Sequence, residues 1–574
     1  MTIPCCAKRH SGPSQGSYRA AHHCRARPGA LYSPLSFQGS SLVHLLFFRL
    51  FRKNLVVASS FCLALTVAAA ANPTQPVVAT QYGKLAGITN RRTHISVFKG
   101  IPFASPPIGK LRWRPPVPPS DWKGVRQATH FGASCMQRIH GTFGPWTPAF
   151  LVQNAVSEDC LYLNVWTPQV SANAHLPVIV FIPGGGFVEG SGEVPVYNGA
   201  HLASTGIVIV TINYRLGALG FLAYPGLTAE SRHHSSGNYG ILDQIAALKW
   251  VRENIRAFGG NPGNVTVWGQ SAGAFSVGVL LDSPLARGLF ERAQADSGLG
   301  ITAHGTTLAA AEDAGLKFAA EHHATNLQQL RAIPAKDLLP APGAPPMQFA
   351  PTVDGWVVPN APNVMNGTPA GNDVPVITGN QANDYWLSFR PLHSAADYNA
   401  LVTRLYGPMA DQFKRLYPPG NSLAQMQKSI VESSRDRERV SMFLWASQRL
   451  DHHKSPVYTY VFDRAIPWPQ HPEFGAFHSG ELPYFFRNLN VLQRPWKRRD
   501  REISLTASSY LRNFASTGDP NGPGLPPWTP VNPARPATME IGTRTGMMPL
   551  ADKAHLAFWL EYFHSPEGKR APLF

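Results

Sequence analysis

The chain has 574 residues, of which 44% are hydrophobic and 15% are charged, a composition typical of globular proteins. It is long enough to bury a large core and to enclose a pocket. The formal net charge is +17, and apart from one cluster at 494–502 the basic residues are spread along the chain. A nucleic-acid-binding surface would be expected to show a basic stripe with interleaved aromatic residues, and the sequence shows none, so nucleic-acid binding has no support. No C-x-x-C, H-E-x-x-H or G-K-[ST] sequence occurs, so we expect no metal site, phosphate-binding loop or cofactor.

The first 71 residues differ from the rest, since they contain Lys and Arg but no Asp or Glu. Within them an apolar run, 55–71, follows Arg52 and Lys53 and ends in small residues. A basic segment, an apolar segment and an A-x-A-like site are typical of a secretory signal peptide, so we expect cleavage near Ala71 and export to the periplasm or outside the cell. The alternative is a retained membrane anchor, because the run is only slightly shorter than the about 20 residues of a transmembrane helix.

Cysteine usage is related to the same prediction. Four of the six cysteines lie within 1–71, so that only Cys135 and Cys160 remain in the mature chain. An even pair in an exported protein is typical of a disulfide, and we expect these two residues to be bonded.

Beyond residue 76 the chain contains many short apolar runs. Segments 77–88 and 94–104 alternate like short antiparallel strands, and the proline-rich segment 106–122 is predicted to be irregular. The segment 237–260 has apolar residues at helical spacing and is predicted to stop at Gly259. Continuous apolar runs, which are typical of strands buried on both faces, occur at 161–168, 176–186, 206–214, 264–270, 374–380 and 456–463.

The alternation of buried strands and helices predicts an α/β fold, with a large and mostly parallel sheet covered by helices. Segments 300–370 and 387–455 are largely helical and loop-like, and we expect them to build walls around a site. No linker divides the later part of the chain. We therefore predict an N-terminal extension with a signal peptide at 1–71 and a single domain at 72–574.

Ser271 lies in the sequence VWGQSAGAF, between two glycines at the end of a predicted strand. G-x-S-x-G between a strand and a helix is typical of a nucleophile elbow, in which a sharp turn exposes the serine hydroxyl at the start of the helix. The alternative is a serine in an ordinary glycine-rich loop. A base, an acid and an oxyanion hole at their expected places would favour the nucleophile.

The sequence PGGGF, at 183–187, follows another predicted strand. Consecutive glycines leave backbone N–H groups accessible, and such groups can bind the oxyanion of a tetrahedral intermediate. The alternatives are a flexible turn and a phosphate-binding loop, although the segment lacks the lysine and the glycine spacing of the latter.

The base and the acid should lie beyond the carboxyl ends of later strands. After the strand 456–463 the available histidines are His471 and His478, and His478 is flanked by aromatic residues. Both remain candidates on this ground alone.

For the acid, Asp384 follows the strand 374–380, whereas Asp373 precedes it and would lie at the opposite end of the sheet. Asp354 is predicted to be a structural aspartate in a turn. A nucleophile, an acid and a histidine in that chain order are typical of hydrolases with this type of elbow.

Five blocks of the sequence resemble the type B carboxylesterases, the family that includes cholinesterases and bacterial para-nitrobenzyl esterases. The resemblance runs from about Val77 to Phe563. The blocks are VFKGIPFASPPIGKLRW (97–113), SEDCLYLNVWTP (157–168), GNYGILDQIAALKWVRENIRAFGGNPGNVTVWGQSAGA (237–274), FHSGELPYFF (477–486) and NFASTGDPNG (513–522).

The resemblance implies an α/β-hydrolase fold whose long insertions shape an active-site gorge. It also implies a serine hydrolase without a cofactor, which cleaves small-molecule carboxylic esters through an acyl-enzyme and needs no stable membrane partner once the signal peptide is removed. The residues it implies are Ser271 as nucleophile, Asp384 as acid, His478 as base, Gly185, Gly186 and Ala272 as the N–H donors of the oxyanion hole, and Cys135–Cys160 as the family's first disulfide.

Two positions depart from the pattern of the family. Its acid is usually glutamate, but the matching residue here is Asp384. Cholinesterases have glutamate before the serine, whereas this chain has Gln270, as general esterases do, which argues against a choline-ester specialist.

Two alternatives to a secreted esterase remain. Some relatives with this fold are adhesion proteins that lack the catalytic serine or histidine, but this chain has both Ser271 and His478. A membrane-tethered esterase would result if residues 55–71 were not cleaved.

Overall fold

The structure of the protein is a computed structural model that describes residues 75–300, 306–340, 349–359, 371–384 and 392–570. The predicted extension and signal peptide at 1–71 lie outside these residues. Within the described ranges, no helix has both the length and the apolar character that crossing a membrane requires.

In the described ranges, the strands belong to one large sheet of eleven strands and three small sheets. In chain order they are β1 (Val77–Thr80), β2 (Gly83–Ala86), β3 (Ile88–Thr89), β4 (Ser96–Pro102), β5 (Val125–Gln127), β6 (Ser134–Cys135), β7 (Val156–Ser157), β8 (Tyr162–Thr167), β9 (Leu176–Ile182), β10 (Val208–Ile212), β11 (Gly260–Gln270), β12 (Arg292–Asp296), β13 (Thr306–Thr307), β14 (Thr352–Val353), β15 (Val376–Gln381), β16 (Val457–Phe462), β17 (Ala537–Ile541) and β18 (Thr545–Pro549).

Helices fill most of the long connections between these strands. They are α1 (Ala200–Ala203), α2 (Gly217–Phe221), α3 (Pro225–Glu230), α4 (Tyr239–Asn254), α5 (Ala272–Asp282), α6 (Leu308–Glu321), α7 (Leu327–Ala332), α8 (Ala395–Tyr406), α9 (Ala410–Leu416), α10 (Leu423–Leu450), α11 (Leu482–Phe485), α12 (Arg498–Thr517), α13 (Lys553–His564) and α14 (Pro566–Arg570).

The large sheet has the strand order β18-β17-β16-β15-β12-β11-β9-β10-β8-β4-β3. Every neighbouring pair from β10 to β17 is parallel, whereas the pairs at both edges are antiparallel. Parallel neighbours end at the same edge of the sheet, so the loops after their carboxyl ends are brought together. The predicted large, mostly parallel sheet is confirmed.

The central strand β9 shows why its sequence is apolar throughout. Side chains alternate between the two faces of a strand. Val178 and Val180 pack in one buried cluster together with Ile241 of α4, whereas Ile179 and Phe181 pack in a second cluster together with Leu511 of α12. Helices therefore cover both faces of the sheet, and both faces of the strand must be apolar.

All six predicted buried strands form, but the central strand β12 has no apolar run that could have predicted it. Its Gln294 and Asp296 are fully buried polar residues. The amide of Gln294 donates to the Asp296 carboxylate, as does the indole N–H of Trp268 on β11, at 2.5 Å. Because these hydrogen bonds offset the cost of burying polar groups, polar side chains can occupy strand positions at which burial would otherwise predict apolar ones.

The structure contains the predicted disulfide between Cys135 and Cys160. The two cysteines are buried, and the short strands β6 and β7 pair at the two ends of the segment that they close. We call residues 135–160 the disulfide loop.

Replacing Cys135 and Cys160 together by alanine should lower the free energy of unfolding by about 3 kcal/mol, because the bond closes a loop of 25 residues in the unfolded chain. Denaturant unfolding of the mature protein and of the double variant measures this difference. Thiol titration of the unfolded, unreduced protein should find no free thiol, and two free thiols would contradict the bond.

Candidate active site

Ser271 lies at the sharp turn between β11 and α5, with φ 57° and ψ −125°. This backbone conformation is costly for a residue with a side chain and persists only where the surroundings impose it. A Cβ atom at Gly269 would collide with the carbonyl oxygen of Gly273, and one at Gly273 would collide with that of Ile182. The two glycines of G-x-S-x-G are therefore needed for the close approach of strand and helix that forms the turn.

Hydrogen bonds on both sides fix the turn. The N–H of Ser271 donates to the carbonyl of Asp296 at 2.8 Å, and the carbonyl of Ser271 accepts from Phe275 in the first turn of α5. The helix begins at Ala272, so the N–H groups of residues 272–274 have no helical acceptor one turn earlier and form the positive end of the helix dipole. Ser271 is thus adjacent to backbone donors suited to an anion.

Residues 183–187, which we call the glycine loop, lie against this turn. A Cβ atom on Gly184 would lie 2.5 Å from the carbonyl oxygen of Gln270 and 2.9 Å from the Cβ of Ser271. Gly185 and Gly186 have φ values of 114° and 60°, which favour glycine. The three glycines allow the backbone of this loop to approach the serine more closely than any other residue would.

The buried Asp384 and the partly buried His478 form a pair near Gln270, the residue before the serine. The Nδ1 of His478 lies 2.5 Å from Oδ1 of Asp384, and the Nε2 of His478 lies 3.1 Å from the side-chain amide nitrogen of Gln270. The side chain of His478 is 15% exposed, and that of Asp384 is 1% exposed. A neutral imidazole has one N–H, so donation from Nδ1 to the carboxylate leaves Nε2 as the acceptor.

The other oxygen of Asp384 is also bound. Its Oδ2 accepts from the hydroxyl of Ser297 at 2.6 Å and from the N–H of Gln381 at 3.0 Å. Ser297 directly follows β12, and the sequence offered no sign of its role because its contact with Asp384 forms only in the folded sheet. Three donors therefore fix the orientation of the carboxylate.

The rejected candidates lie elsewhere. His471 pairs with the exposed Glu473, and Asp373 accepts from backbone N–H groups at the opposite end of β15. Asp354 accepts from the N–H groups of residues 356–358, as expected of a structural turn aspartate. Of the predicted acids and bases, the structure brings only Asp384 and His478 together.

Asp296 and Glu481 are among the carboxyl groups buried close to Asp384. Burial, together with the negative charge of Asp384, raises the pKa of Asp296 to about 7, and burial together with the charges of Asp296 and Asp384 raises the pKa of Glu481 well above its ordinary value. Each negative charge added to this region disfavours the next one. Neither residue was predicted, because only their burial distinguishes them from surface acids.

The disulfide loop connects two sides of this site. The side-chain amide of Gln137 accepts from the N–H of Gly190 at 2.8 Å and donates to its carbonyl at 2.9 Å, just beyond the glycine loop. At the other side, the ring of Trp146 lies 6.3 Å from that of Phe477, the residue before His478.

In the part of the chain that the structure describes, no group of three or more His, Cys, Asp or Glu side chains could hold a metal ion.

A sequence model described as the Carboxylesterase family matches residues 74–559. The chain belongs to this family. It is 35% identical to fumonisin B1 esterase of Sphingopyxis macrogoltabida, over 84% of this chain and 89% of that protein. It is 37% identical to para-nitrobenzyl esterase of Bacillus subtilis, over 78% of this chain and 91% of that protein. A solved structure of a PNB esterase superimposes with a TM-score of 0.69 at 33% identity and covers 85% of this chain and 100% of its own.

These similarities confirm three predictions from the sequence. The protein is a type B carboxylesterase, it has the α/β-hydrolase fold, and it is a carboxylic ester hydrolase of the serine hydrolase class. The carboxylesterase is similar to these two relatives in sequence as well as in fold, since the sequence alignments cover almost the whole length of each relative.

Gly184→Ala should lower kcat by about 10²–10³-fold, the effect of losing one oxyanion donor, because the new methyl group would push the glycine loop away from Ser271. Steady-state kinetics on an activated ester measures the loss. Gly546→Ala is the matched control, since a Cβ atom there meets no heavy atom within 4 Å. An active Gly184→Ala variant would show that the close approach is not needed.

Proposed function

We propose that Ser271, His478 and Asp384 form a catalytic triad that hydrolyses small-molecule carboxylic esters through an acyl-enzyme. The observation that carries this proposal is the contact of His478 Nδ1 with the buried Asp384, because it leaves Nε2 as a proton acceptor beside the turn that presents Ser271. The names of the relatives support ester substrates, since both are esterases.

In the proposed first half-reaction, Nε2 of His478 takes the proton from Ser271 as its Oγ attacks the ester carbonyl. Asp384 holds the imidazole in the required tautomer and stabilises its positive charge. The N–H groups of Gly185, Gly186 and Ala272 bind the oxyanion, and the positive end of α5 favours the same charge. Collapse of the intermediate expels the alcohol, which takes the proton from His478.

The second half-reaction repeats these steps with water. His478 takes a proton from the water as its oxygen attacks the acyl-enzyme, a second oxyanion forms in the same place, and Ser271 leaves with the proton from His478. Each of these steps uses only the groups named.

We also infer that the esterase acts outside the cytoplasm. The signal-peptide pattern at 55–71 and the disulfide between Cys135 and Cys160 both support this inference, because disulfides persist in oxidising compartments. Reduced cysteines in the purified mature enzyme would contradict it.

Ser271→Ala should abolish ester hydrolysis, with a loss of about 10⁴-fold or more in kcat, while the unfolding temperature stays close to that of the native enzyme. The physical reason is the loss of the only proposed nucleophile. Kinetics on a 4-nitrophenyl ester, with circular dichroism to check the fold, measures both. A normally folded variant with native turnover would show that Ser271 is not the nucleophile.

Asp384→Asn should lower kcat by about 10³–10⁴-fold with the fold retained, because the amide favours the wrong tautomer of His478. Asp354→Asn is the matched control, since its amide keeps an oxygen for the N–H groups of its turn. Both variants are assayed on the same ester. If Asp354→Asn is inactive and Asp384→Asn is active, the acid is assigned to the wrong residue.

A further inference from the structure

Two loops of the candidate site run side by side: the acid loop, residues 381–384, and the histidine loop, residues 474–479. The N–H of Asn383 donates to the carbonyl of Ala476 at 3.0 Å, and the N–H of Ala476 donates to Oδ1 of Asn383 at 3.1 Å. Asn383 and Phe477 pair in parallel, as two residues of a sheet would. The next residue on each loop is Asp384 and His478, so the reacting pair continues the register of this contact.

Gly475 permits the approach of the two loops. A Cβ atom at this position would lie 2.5 Å from Oδ1 of Asn383, and its φ of 57° favours glycine as well. The side-chain amide of Asn383 therefore packs directly on the backbone of the histidine loop.

Arg435 on α10 binds the acid loop from the side. Its Nε donates to the carbonyl of Ala382 at 2.6 Å, and one of its terminal nitrogens lies 3.2 Å from Oδ1 of Asn383. The same Asn383 oxygen thus accepts from both the helix and the histidine loop. One turn later on α10, Glu438 is buried near Asp384, and burial raises the pKa of Glu438 well above its ordinary value.

We propose that Asn383 and Arg435 are positioning residues for the acid, and that the register they fix allows an aspartate to reach His478 in place of the longer glutamate. This inference rests on the proposed function, in which Asp384 is the acid of the triad. The carboxylate of an aspartate extends one methylene less from the backbone, so its loop must lie closer to the imidazole. The pairing of the acid loop with the histidine loop through Asn383, which Arg435 of α10 also binds, holds the acid loop at this shorter distance from the imidazole.

The experiment measures kcat and KM for four variants, with kcat calculated per active site after titration with a serine-reactive phosphonate. The variants are Arg435→Gln, Asn383→Ala, Asp384→Glu and the double variant Arg435→Gln/Asp384→Glu. Arg435→Gln and Asn383→Ala should each lower kcat about tenfold or more with KM within about twofold, since misplacement of a catalytic group by a fraction of an ångström affects the transition state first. Titration removes any effect of misfolded protein on kcat.

The double variant separates positioning from a general structural role. In the native background the extra methylene of Asp384→Glu has no room, whereas in the Arg435→Gln background the acid loop can move back. Asp384→Glu should therefore cost less in the second background than in the first, a coupling that independent sites do not show. Lys428→Ala on the same helix, which removes an exposed ion pair with Glu432, is the matched control and should change neither constant.

A native kcat in Arg435→Gln, or costs of Arg435→Gln and Asp384→Glu that simply multiply, would overturn the inference. If Arg435→Gln does not fold, Gly475→Ala makes the same comparison from the histidine loop, where its methyl group should separate the loops. An active Asp384→Asn would instead contradict the proposed function. An inactive Asp384→Asn beside a fully active Arg435→Gln would refute only the positioning role.

Discussion

The hydrogen-bond ladder of the parallel strands continues beyond their carboxyl ends, and the geometry of the candidate site depends on this continuation. After β11, the N–H of Ser271 donates to Asp296 at the end of β12. After β12, the N–H of Ser297 donates to Gly379 of β15, and after β15 the N–H of Ala382 donates to Phe462 at the end of β16. The backbone of each loop is thus hydrogen-bonded to the neighbouring strand, independently of the contacts of its side chains.

This constraint explains why so few side chains are needed to hold the site. Once the backbones are fixed, the hydroxyl of Ser297 and the backbone N–H of Gln381 orient the Asp384 carboxylate, and the glycines leave the space that the close approach requires. A catalytic group held through its backbone loses little conformational freedom when the transition state forms, since the entropy was lost on folding.

Burial of several carboxyl groups at the same edge of the sheet is unfavourable by itself. Desolvation disfavours the charge on Asp296 and on Glu481, and neither has a basic partner among the groups that shift its pKa. Asp384, in contrast, has three donors, one of which is the imidazole of His478, whose positive charge it can stabilise. The raised pKa values of Asp296 and Glu481 mean that both acids retain their protons more strongly than exposed acids do.

The sequence predicted the elements whose signals are local. Runs of apolar residues predicted the strands that bear the site, and strand ends followed by serine, glycine, aspartate and histidine predicted its candidates. It could not predict β12, whose Asp296 accepts a hydrogen bond from Trp268 of β11, nor Ser297, which contacts an aspartate 87 residues away. The contact of Arg435 with Asn383, 52 residues apart, likewise has no local pattern. The features that the sequence did not predict are polar, at least partly buried, and formed only in the folded chain.

The two longest connections of the sheet leave from and return to the strands that carry this ladder: one joins β12 to β15, and the other joins β15 to β16. Their ends are fixed by the sheet, but loops between fixed ends can change length and sequence at little cost in stability. The β12–β15 connection beyond Ser297 can therefore be exchanged, in evolution or by engineering, while the groups of the candidate site stay where they are, whereas the β15–β16 connection contains Asp384, Asn383 and Arg435 and must keep them. The enzyme separates the parts that must be inherited unchanged from the parts on which selection for a new substrate can act.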